Sequence, residues 1–460
     1  MVTHPLPAGF VFGAATASYQ IEGAVAEGGR TPSIWDTFSH TPGRTFNGDT
    51  GDVACDHYHR WAEDVELLDQ LGVDAYRFSL AWPRIQPDGT GVGNTAGLDF
   101  YDRLVDGLLD RGITPVVTLY HWDLPQALED AGGWRMRSTA ERFAQYTQIA
   151  HDRLGDRVKD WITLNEPWCS SMLGYGTGRH APGAREGDGA LAAAYHLALG
   201  HGLATQVLRS DVTARVGVTL NLQPVQPASD SAQDQAAAER ALMNSNLLFT
   251  DPILAGRYPA LARETYAPIT DFGWLRDEDL PVISAPLDFL GVNNYFPSRV
   301  EAVGYDEPDP ARRTATDLGI HDVIDPRGET TQIGWPVEAD GLRRLLVWLR
   351  DNYPTLPPIY ITENGRACDD VIAPDGSVDD PDRVRYLHEH LDAVAAAVAE
   401  GVDVRGYFCW SLLDNFEWAE GYRMRFGLVY VDYPTQRRIP KTSFRWYRDL
   451  IAAQRTSAVA

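Results

Sequence analysis

Cysteine is scarce in this sequence. The four cysteines, at positions 55, 169, 368 and 409, lie far apart. The chain therefore has no CxxC spacing of the kind found in metal and redox sites, and it has no dense disulfide framework. We expect four reduced and mostly buried thiols.

The sequence also lacks the segments that direct a chain to a membrane. No run of 18 or more apolar residues occurs, so no transmembrane helix is expected. The first 29 residues contain no Lys or Arg, and the charged n-region of a signal peptide is therefore missing, although Phe10–Ala17 resembles a short h-region. A cytoplasmic location is expected.

Positive charge is in deficit. The chain has 40 Lys and Arg against 64 Asp and Glu, a net charge of −24. This balance argues against nucleic acid or an anionic membrane as partner, because either needs a basic face. It also disfavours a polyanionic substrate. With 460 residues, 44% of them hydrophobic, the chain can bury a large core, as an ordinary soluble globular protein does. The oligomeric state stays unknown.

The chain repeats the order of short apolar strand, polar loop and amphipathic helix. This order favours a parallel sheet covered by helices. Eight such strands predict an α/β fold, a single (β/α)8 TIM barrel with long loops at its C-terminal face. The predicted strands are Phe10–Ala15, Ala75–Leu80, Thr114–Leu119, Asp160–Leu164, Arg215–Leu220, Asp288–Val292, Ile359–Thr362 and Val404–Cys409.

Three helices can be predicted from their apolar period. Pro381–Glu400 carries one apolar stripe, with Asp380 as the predicted N-cap. The run Ser138-Thr-Ala-Glu141 is typical of a capping box that opens a helix to about Leu154. A further helix is predicted for Leu98–Leu109.

No solenoid repeat and no Ser/Gly linker divides the chain. We therefore expect one domain over residues 1–460, with a core of about 5–450 and a short C-terminal tail. The longest interruption, Asn294 to Pro336, is rich in Asp, Pro and Gly. It is a candidate loop over the open end of the barrel, where active sites of such barrels lie.

Two stretches end a β-branched or apolar run with a carboxylate. They are Tyr360-Ile-Thr-Glu-Asn-Gly365 and Trp161-Ile-Thr-Leu-Asn-Glu-Pro167. Either alone is compatible with a strand that enters a turn, with Glu363 as a solvated edge charge. Together, two carboxylates at the carboxyl ends of two barrel strands can face one substrate.

Other signals are weaker. The glycine runs Gly89–Gly93 and Gly174–Gly178 lack the G-x-G-x-x-G spacing and are better interpreted as loops. The histidine pairs miss the spacing of a helical zinc site. The histidine pairs in question are His57/His59, His196/His201 and His388/His390. No cofactor and no metal are expected.

Four motifs together resemble the family 1 glycoside hydrolases, the β-glucosidase family. The resemblance runs from about Pro5 to Leu450, in the family's order. The motifs are Phe10-Val-Phe-Gly-Ala-Ala-Thr-Ala-Ser-Tyr-Gln-Ile-Glu-Gly23, Thr163-Leu-Asn-Glu-Pro167, Ile361-Thr-Glu-Asn-Gly365 and Trp410-Ser-Leu-Leu-Asp-Asn-Phe-Glu-Trp418.

The resemblance implies a retaining mechanism, with Glu363 as nucleophile and Glu166 as acid/base. Retention needs the two carboxyl groups ~5 Å apart. The like charge of Glu363 is then expected to raise the pKa of Glu166, so that Glu166 keeps its proton near neutrality. Once Glu363 is glycosylated its charge disappears, and Glu166 can act as base.

The resemblance also implies roles for the supporting residues. Arg77 and Tyr295 correspond to groups that keep Glu363 ionised and oriented, and Asn293 to a group on the 2-hydroxyl side. Taken alone, Arg77 would be an ion pair, His121 a buried histidine, and Trp410 and Trp418 core residues. The implied substrate-binding residues are Gln20, His121, Asn165, Asn293, Trp410, Glu417 and Trp418.

The expected function is removal of terminal β-D-glucosyl residues from cellobiose, cello-oligosaccharides or aryl β-glucosides, with possible β-galactoside or β-fucoside activity. One alternative is a 6-phospho-β-glycosidase, whose serine and lysine are absent from Phe416-Glu-Trp418, where Glu417 would repel a phosphate. Thioglucosidase relatives carry glutamine in place of Glu166. A second alternative is a non-catalytic sugar-binding barrel, which usually lacks one of the two carboxylates that this chain keeps.

Overall fold

Eight parallel strands close into a barrel. The computed structural model describes residues 5–459; residues 1–4 and 460, which the single-domain prediction includes, lie outside the described residues. Each strand pairs with its neighbours in sequence, and the last pairs with the first. The predicted TIM barrel is thus confirmed. The strands are β1 Val11–Ala15, β2 Ala75–Ser79, β3 Thr114–Tyr120, β4 Asp160–Asn165, β5 Arg215–Asn221, β6 Phe289–Asn293, β7 Ile359–Asn364 and β8 Val404–Trp410.

Several strands continue further at their carboxyl ends than their apolar runs. β4 ends at Asn165, β6 at Asn293, β7 at Asn364 and β8 at Trp410. The added residues are polar or aromatic and buried. The ladder therefore holds the backbone of several predicted site residues directly, and strands position side chains more accurately than loops do.

Helices form the outer layer around the strands. The predicted helices occur at Thr95–Leu109, Arg137–Leu154 and Pro381–Ala399. The C-terminal helix Thr442–Val459 continues past Leu450, so much of the expected tail is helical. The other α-helices are Ser18–Ile21, Ile34–Ser39, His57–Leu71, Trp82–Ile85, Gln126–Asp130, Asp188–Leu208, Ala232–Leu242, Leu248–Ala255, Ala260–Tyr266, Leu280–Ile283 and Ala339–Asn352.

One of the two predicted helix caps is wrong, and the other is correct in its position but not in its bonding. The helix that was expected to open at Ser138 begins at Arg137, with Met136 at its N-cap and no side-chain cap. Asp380 occupies the predicted N-cap position, but its side chain does not cap the helix. Its carboxylate instead accepts from the backbone N–H of Ser443 at 2.8 Å and pairs with Arg383. Tertiary partners have displaced the local capping bonds.

The segment from Asn294 to Pro336 contains strands of its own. Ser298–Ala302 pairs in parallel with Val225–Pro227 and antiparallel with Ile320–Asp322, which gives a small three-stranded sheet. This segment contributes Tyr295, Ser298, Ile320 and Trp335 to the walls of the barrel's main cavity. It therefore encloses the open end of the barrel, as expected of a long loop there.

A buried ion cluster anchors the chain after β8. Lys441 Nζ lies 2.6 Å from Asp370 and 2.7 Å from Asp414, and its side chain is fully buried. Asp414 also pairs with Arg425 at 2.6 Å, and Asp370 with Arg383 at 2.7 Å. Burying these charges is tolerable because each has partners of opposite sign. The cluster fixes the segment that follows Trp410.

The structure also tests the expected state of the cysteines and the expected lack of a transmembrane helix. All four cysteines are free, and Cys55, Cys169 and Cys409 are buried. Within residues 5–459, each helix is too short or too polar to cross a membrane.

Candidate active site

A cavity of about 390 Å³ opens at the carboxyl ends of the strands. Its size suits one or two sugar rings, and aromatic walls combined with a few polar groups are typical of small-molecule sites. The predicted site residues that line it are His121, Glu166, Asn293, Tyr295, Glu363, Trp410, Glu417 and Trp418.

Glu363 lies on β7 and has two fixed donors. Arg77 Nη1 donates to its Oε1 at 2.5 Å, and the hydroxyl of Tyr295 donates to its Oε2 at 2.7 Å. Arg77 is fully buried and Glu363 is only 3% exposed. A guanidinium cannot release its proton in a protein, so the ion pair keeps Glu363 anionic and aimed.

The hydrogen bonds run on from Arg77 to the second carboxyl group. Arg77 Nη2 donates to Asn165 Oδ1 at 2.6 Å. Because arginine is only a donor, Asn165 Oδ1 accepts, and the group that approaches it from Asn293 at 3.0 Å is an amide nitrogen. The same nitrogen donates to Glu166 Oε1 at 2.6 Å. One chain of hydrogen bonds thus joins Glu363 to Glu166.

Glu166 directly follows β4 and has a left-handed backbone with φ of 48°. Such a conformation costs a non-glycine residue on the order of 1 kcal/mol and is found mainly at functional sites. It is held by the bond from the Glu166 N–H to the Thr219 carbonyl at 2.9 Å. The backbone therefore fixes where this side chain points.

The pKa of Glu166 is raised to about 7. The main cause is burial, since the residue is 6% exposed, and the second is the negative charge of Glu363. The effect of the like charge was expected from the sequence, whereas the larger effect of burial was not. Desolvation acts in the same direction because it disfavours the charged form of any carboxyl group.

His121 is neutral in this arrangement. Asn165 Nδ2 donates to His121 Nε2 at 3.0 Å, so Nε2 is the acceptor and the ring proton lies on Nδ1. Burial, followed by the charge of Arg77, holds the pKa of His121 well below its usual value. Nδ1 is buried and has no hydrogen-bond partner among the described residues. The ring can therefore donate to a substrate hydroxyl.

Glu417 contributes a further carboxyl group to the cavity. Burial, followed by the charges of Glu363 and Glu166, raises its pKa to about 8. At neutral pH it is therefore mostly protonated and can donate to a sugar hydroxyl. Direct repulsion of a phosphate by Glu417 is correspondingly weaker than expected from the sequence, and the ionised Glu363 carries more of the negative charge.

Aromatic rings form one side of the cavity. The rings of Trp410 and Trp418 each lie 5.9 Å from that of His121 in stacked orientation. Trp122 packs against Trp418 at 4.5 Å and donates from Nε1 to the Asn165 carbonyl at 2.9 Å. Flat apolar faces of this kind suit the C–H face of a sugar ring.

Three predicted site residues lie behind the cavity wall instead of on it. Arg77, Asn165 and Gln20 are each fully buried. Gln20 Nε2 donates to Asn415 Oδ1 at 3.0 Å and approaches Glu417 Oε2 at 3.4 Å, whereas Gln20 Oε1 has no partner among the described residues. The structure thus brings all predicted residues together, with these three as the inner support.

Sequence reasoning missed two residues of this site. Trp122 lines the cavity and was overlooked, although it adjoins His121. Cys169 also lines it, and its Sγ lies 3.0 Å from Glu166 Oε2. The spacing of three residues from Glu166 was a usable signal, since residues three apart share a face of a helical turn.

The geometry defines a class of protein. An anionic carboxylate and a protonated carboxyl group, brought to one sugar-sized cavity by the carboxyl ends of β7 and β4, are the equipment of a glycoside hydrolase. In residues 5–459, no group of His, Cys, Asp and Glu is arranged to hold a metal ion.

Comparison with known proteins identifies the family. The model of glycosyl hydrolase family 1 matches residues 2–456. The chain is 51% identical to a bifunctional β-D-glucosidase/β-D-fucosidase of Bifidobacterium breve, over 98% of this chain and 99% of that protein. It is 46% identical to β-glucosidase A of Thermotoga maritima, over 97% of each chain. The chain belongs to glycosyl hydrolase family 1.

Solved structures agree with this assignment. The crystal structure of a psychrophilic β-glucosidase from Micrococcus antarcticus superimposes with a TM-score of 0.93 at 46% identity, covering 98% of both chains. The family 1 β-glucosidase from Thermotoga maritima gives a TM-score of 0.92 at 45% identity, covering 98% of this chain and 99% of that one.

Proposed function

We propose that this glycoside hydrolase is a retaining β-glucosidase that removes terminal β-D-glucosyl residues by double displacement. The observation that carries the proposal is the chain of hydrogen bonds from Glu363 through Arg77, Asn165 and Asn293 to Glu166. It gives one carboxyl group a permanent counter-ion and leaves the other with a pKa near neutrality.

In the first step Glu363 attacks the anomeric carbon. The bond from that carbon to the leaving oxygen breaks, and the leaving oxygen takes the proton of Glu166. A β-configured glucosyl unit becomes an α-linked ester on Glu363, and the released alcohol is neutral. Glu166 is left as an anion.

In the second step Glu166 acts as base. With Glu363 esterified, the charge that helps to raise the pKa of Glu166 is absent. Glu166 takes a proton from water, the water oxygen bonds to the anomeric carbon, and the ester bond to Glu363 breaks. Two inversions give β-glucose and restore both carboxyl groups to their starting states.

Small β-glycosides are the proposed substrates. The names of the relatives support β-glucosides as the main substrates of this enzyme. The name of the Bifidobacterium breve protein supports β-fucosides as a second class of substrate. β-D-Fucosides lack the 6-hydroxyl of glucose and carry the 4-hydroxyl in the axial orientation, so their use depends on how strongly the site binds the hydroxyls at both positions. Cellobiose, cello-oligosaccharides and aryl glucosides all present the terminal unit that the cavity can enclose.

The other functions that the sequence left open are not favoured. A 6-phosphorylated sugar would bring a dianion into the cavity that holds the ionised Glu363. A non-catalytic barrel would have no need for the buried, strained Glu166. The relatives are named for hydrolysis of unphosphorylated glycosides.

Replacement of Glu363 tests the proposal. Glu363→Ala should abolish hydrolysis of nitrophenyl β-glucoside, and added azide should restore turnover with α-glucosyl azide as product, because azide then attacks in place of the lost carboxylate. Glu389→Ala, an exposed glutamate on the helix Pro381–Ala399, is the matched control. Retained hydrolysis in Glu363→Ala would remove Glu363 from its role.

A substrate panel tests the specificity. We expect glucoside and fucoside to be hydrolysed faster than mannoside and 6-phosphoglucoside, and galactoside to fall between them. A preference for the 6-phosphoglucoside would overturn the proposed substrate class.

We also propose that the barrel acts as one catalytic unit in the cytoplasm. Four free cysteines, three of them buried, suit a reducing compartment. Cell fractionation that recovers the activity outside the cytoplasm would contradict the location.

A further inference from the structure

Both oxygens of Glu166 have a neighbour in the structure. Oε1 accepts from Asn293 Nδ2 at 2.6 Å, and Oε2 lies 3.0 Å from Cys169 Sγ. The backbone N–H of Cys169 also bonds to the Glu166 carbonyl at 3.0 Å, so the turn that begins at Glu166 holds the thiol in place. Cys169 is 8% exposed and adjoins the cavity.

The two neighbours differ in what they can do. Asn293 Nδ2 is a donor only, and its orientation is set by Arg77 through Asn165. A proton on Oε1 would face an N–H and find no acceptor there. A thiol is both a weak donor and a weak acceptor, so Oε2 can be either ionised or protonated beside Cys169.

We propose that Oε2 of Glu166 is the oxygen that carries the catalytic proton, and that Cys169 is a positioning residue for that proton. This inference rests on the proposed function. It assigns the acid/base chemistry to one atom and adds a residue that contacts that atom without touching the sugar carbon.

The thiol reverses its role within one turnover. While Glu166 is protonated, the Oε2–H group can point to Cys169 Sγ until a glycosidic oxygen takes the proton. After transfer the thiol S–H turns and donates to the new anion at Oε2. When water later gives its proton back to Oε2, the sulfur becomes an acceptor again. No proton leaves Cys169, because burial followed by the charge of Glu166 keeps its pKa well above the usual value.

Several other titratable groups lie near Glu166 and affect its pKa together with Cys169. They do not change when Cys169 is replaced, so a shift in the pH profile of a Cys169 variant reports on the thiol. These groups are Glu363 on β7, Arg77 on β2, Tyr295 after β6, Glu417 after β8 and Arg179 after the helical segment Cys169–Thr177.

The test compares a donor-free and a donor-keeping variant. Cys169→Val fills a similar volume but cannot donate, and Cys169→Ser keeps an O–H group. The measurement is kcat/KM for nitrophenyl β-glucoside against pH. In Cys169→Val the basic limb should move to higher pH by about half a unit or more, because the anion loses a donor worth ~1 kcal/mol. In Cys169→Ser it should stay near the wild-type position.

Cys368→Val is the matched control. This free, half-buried cysteine lies after β7 and outside the cavity, and its loss should leave the limb in place. A basic limb that is unmoved in Cys169→Val, or that moves equally in Cys169→Ser, would overturn the proposal. If Cys169→Val melts below the assay temperature, Cys169→Ala replaces it with the same expected direction.

Failure of this inference can be told apart from failure of the proposed function. If the wild-type enzyme does not hydrolyse β-glucosides, the function is wrong and no profile exists. If it does, with a basic limb that ignores residue 169, only the role of Cys169 is wrong.

Discussion

The guanidinium of Arg77 lies 2.5 Å from Oε1 of Glu363, and neither group has appreciable contact with solvent. An ion pair in this position does more than stabilise the fold. It keeps Glu363 anionic in a cavity where burial raises the pKa of Glu166 and Glu417.

Breaking this pair should reduce catalysis more than any exposed ion pair does. In Arg77→Met, Glu363 becomes a buried and unpaired carboxylate, which costs about 3–5 kcal/mol or forces it to take up a proton. We expect kcat to fall by a factor of at least about 100. Steady-state kinetics measure the fall, with Arg405→Met as control, since Arg405 pairs with Asp403 at the surface. A kcat within a few-fold of wild type would contradict the role of Arg77.

The basic limb of the pH profile should reflect Glu166. Its pKa is raised to about 7, and the first step needs the protonated form. Activity should therefore decline as pH rises through about 7, in kcat/KM for a substrate with a poor leaving group. A dinitrophenyl glucoside, whose leaving group needs little protonation, should show a weaker decline. Identical basic limbs for both substrates would argue against Glu166 as the acid.

Azide should distinguish the roles of the two glutamates by stereochemistry. In Glu166→Ala the nucleophile remains, so an activated aryl glucoside still forms the α-linked ester. Azide then attacks that ester without needing a base and should give β-glucosyl azide, by two inversions. The product is identified by its anomeric proton coupling in NMR. An α-product from Glu166→Ala would exchange the assigned roles.

Glu417 should lower stability at high pH. Its pKa is about 8 in the fold against 4.5 for an ordinary glutamate, so the folded state binds the proton more tightly than the unfolded state. Stability from this group is complete below about pH 4.5 and is lost as pH rises to about 8. Glu417→Gln removes this loss and should melt at higher temperature than wild type at pH 9, with little difference at pH 4.

Glu420 provides a control of opposite sign. Bonds to Arg423 and Arg179 lower its pKa, so its contribution to stability is present above the ordinary glutamate pKa and is lost as pH falls. Glu420→Gln should therefore lower the melting temperature at pH 9. The same direction of change in both variants would contradict the assignment.

The fold could be predicted largely because barrel strands are apolar on both faces. Each of the eight runs reads as buried without reference to any partner, and the observed starts differ by at most one residue. Their carboxyl ends could not be predicted, because Asn165, Asn293 and Trp410 are paired in the ladder despite being polar or aromatic. Asp380 lies at the predicted N-cap but does not cap the helix with its side chain, for a related reason: Ser443 and Arg383 bind its carboxylate.

The site divides in the same way. Glu166 and Glu363 could be found from strand ends and motifs. The bond from Cys169 to Glu166 joins residues three apart and was open to prediction from the spacing. The packing of Trp122 on Trp418 and the place of Gln20 behind Glu417 depend on contacts across the barrel. Those contacts are set by tertiary packing, which no local pattern encodes.

Arg77 loses its anionic partner when the sugar becomes attached to Glu363. The esterified oxygen no longer balances the guanidinium, so the floor of the barrel changes from nearly neutral to net positive at mid-turnover. This unmatched cation lies one amide away from Asn293 and hence from Glu166. The guanidinium of Arg77 attracts the Glu166 carboxylate formed in the first step and opposes its reprotonation. Glu166 therefore stays ionised until water releases the sugar from Glu363.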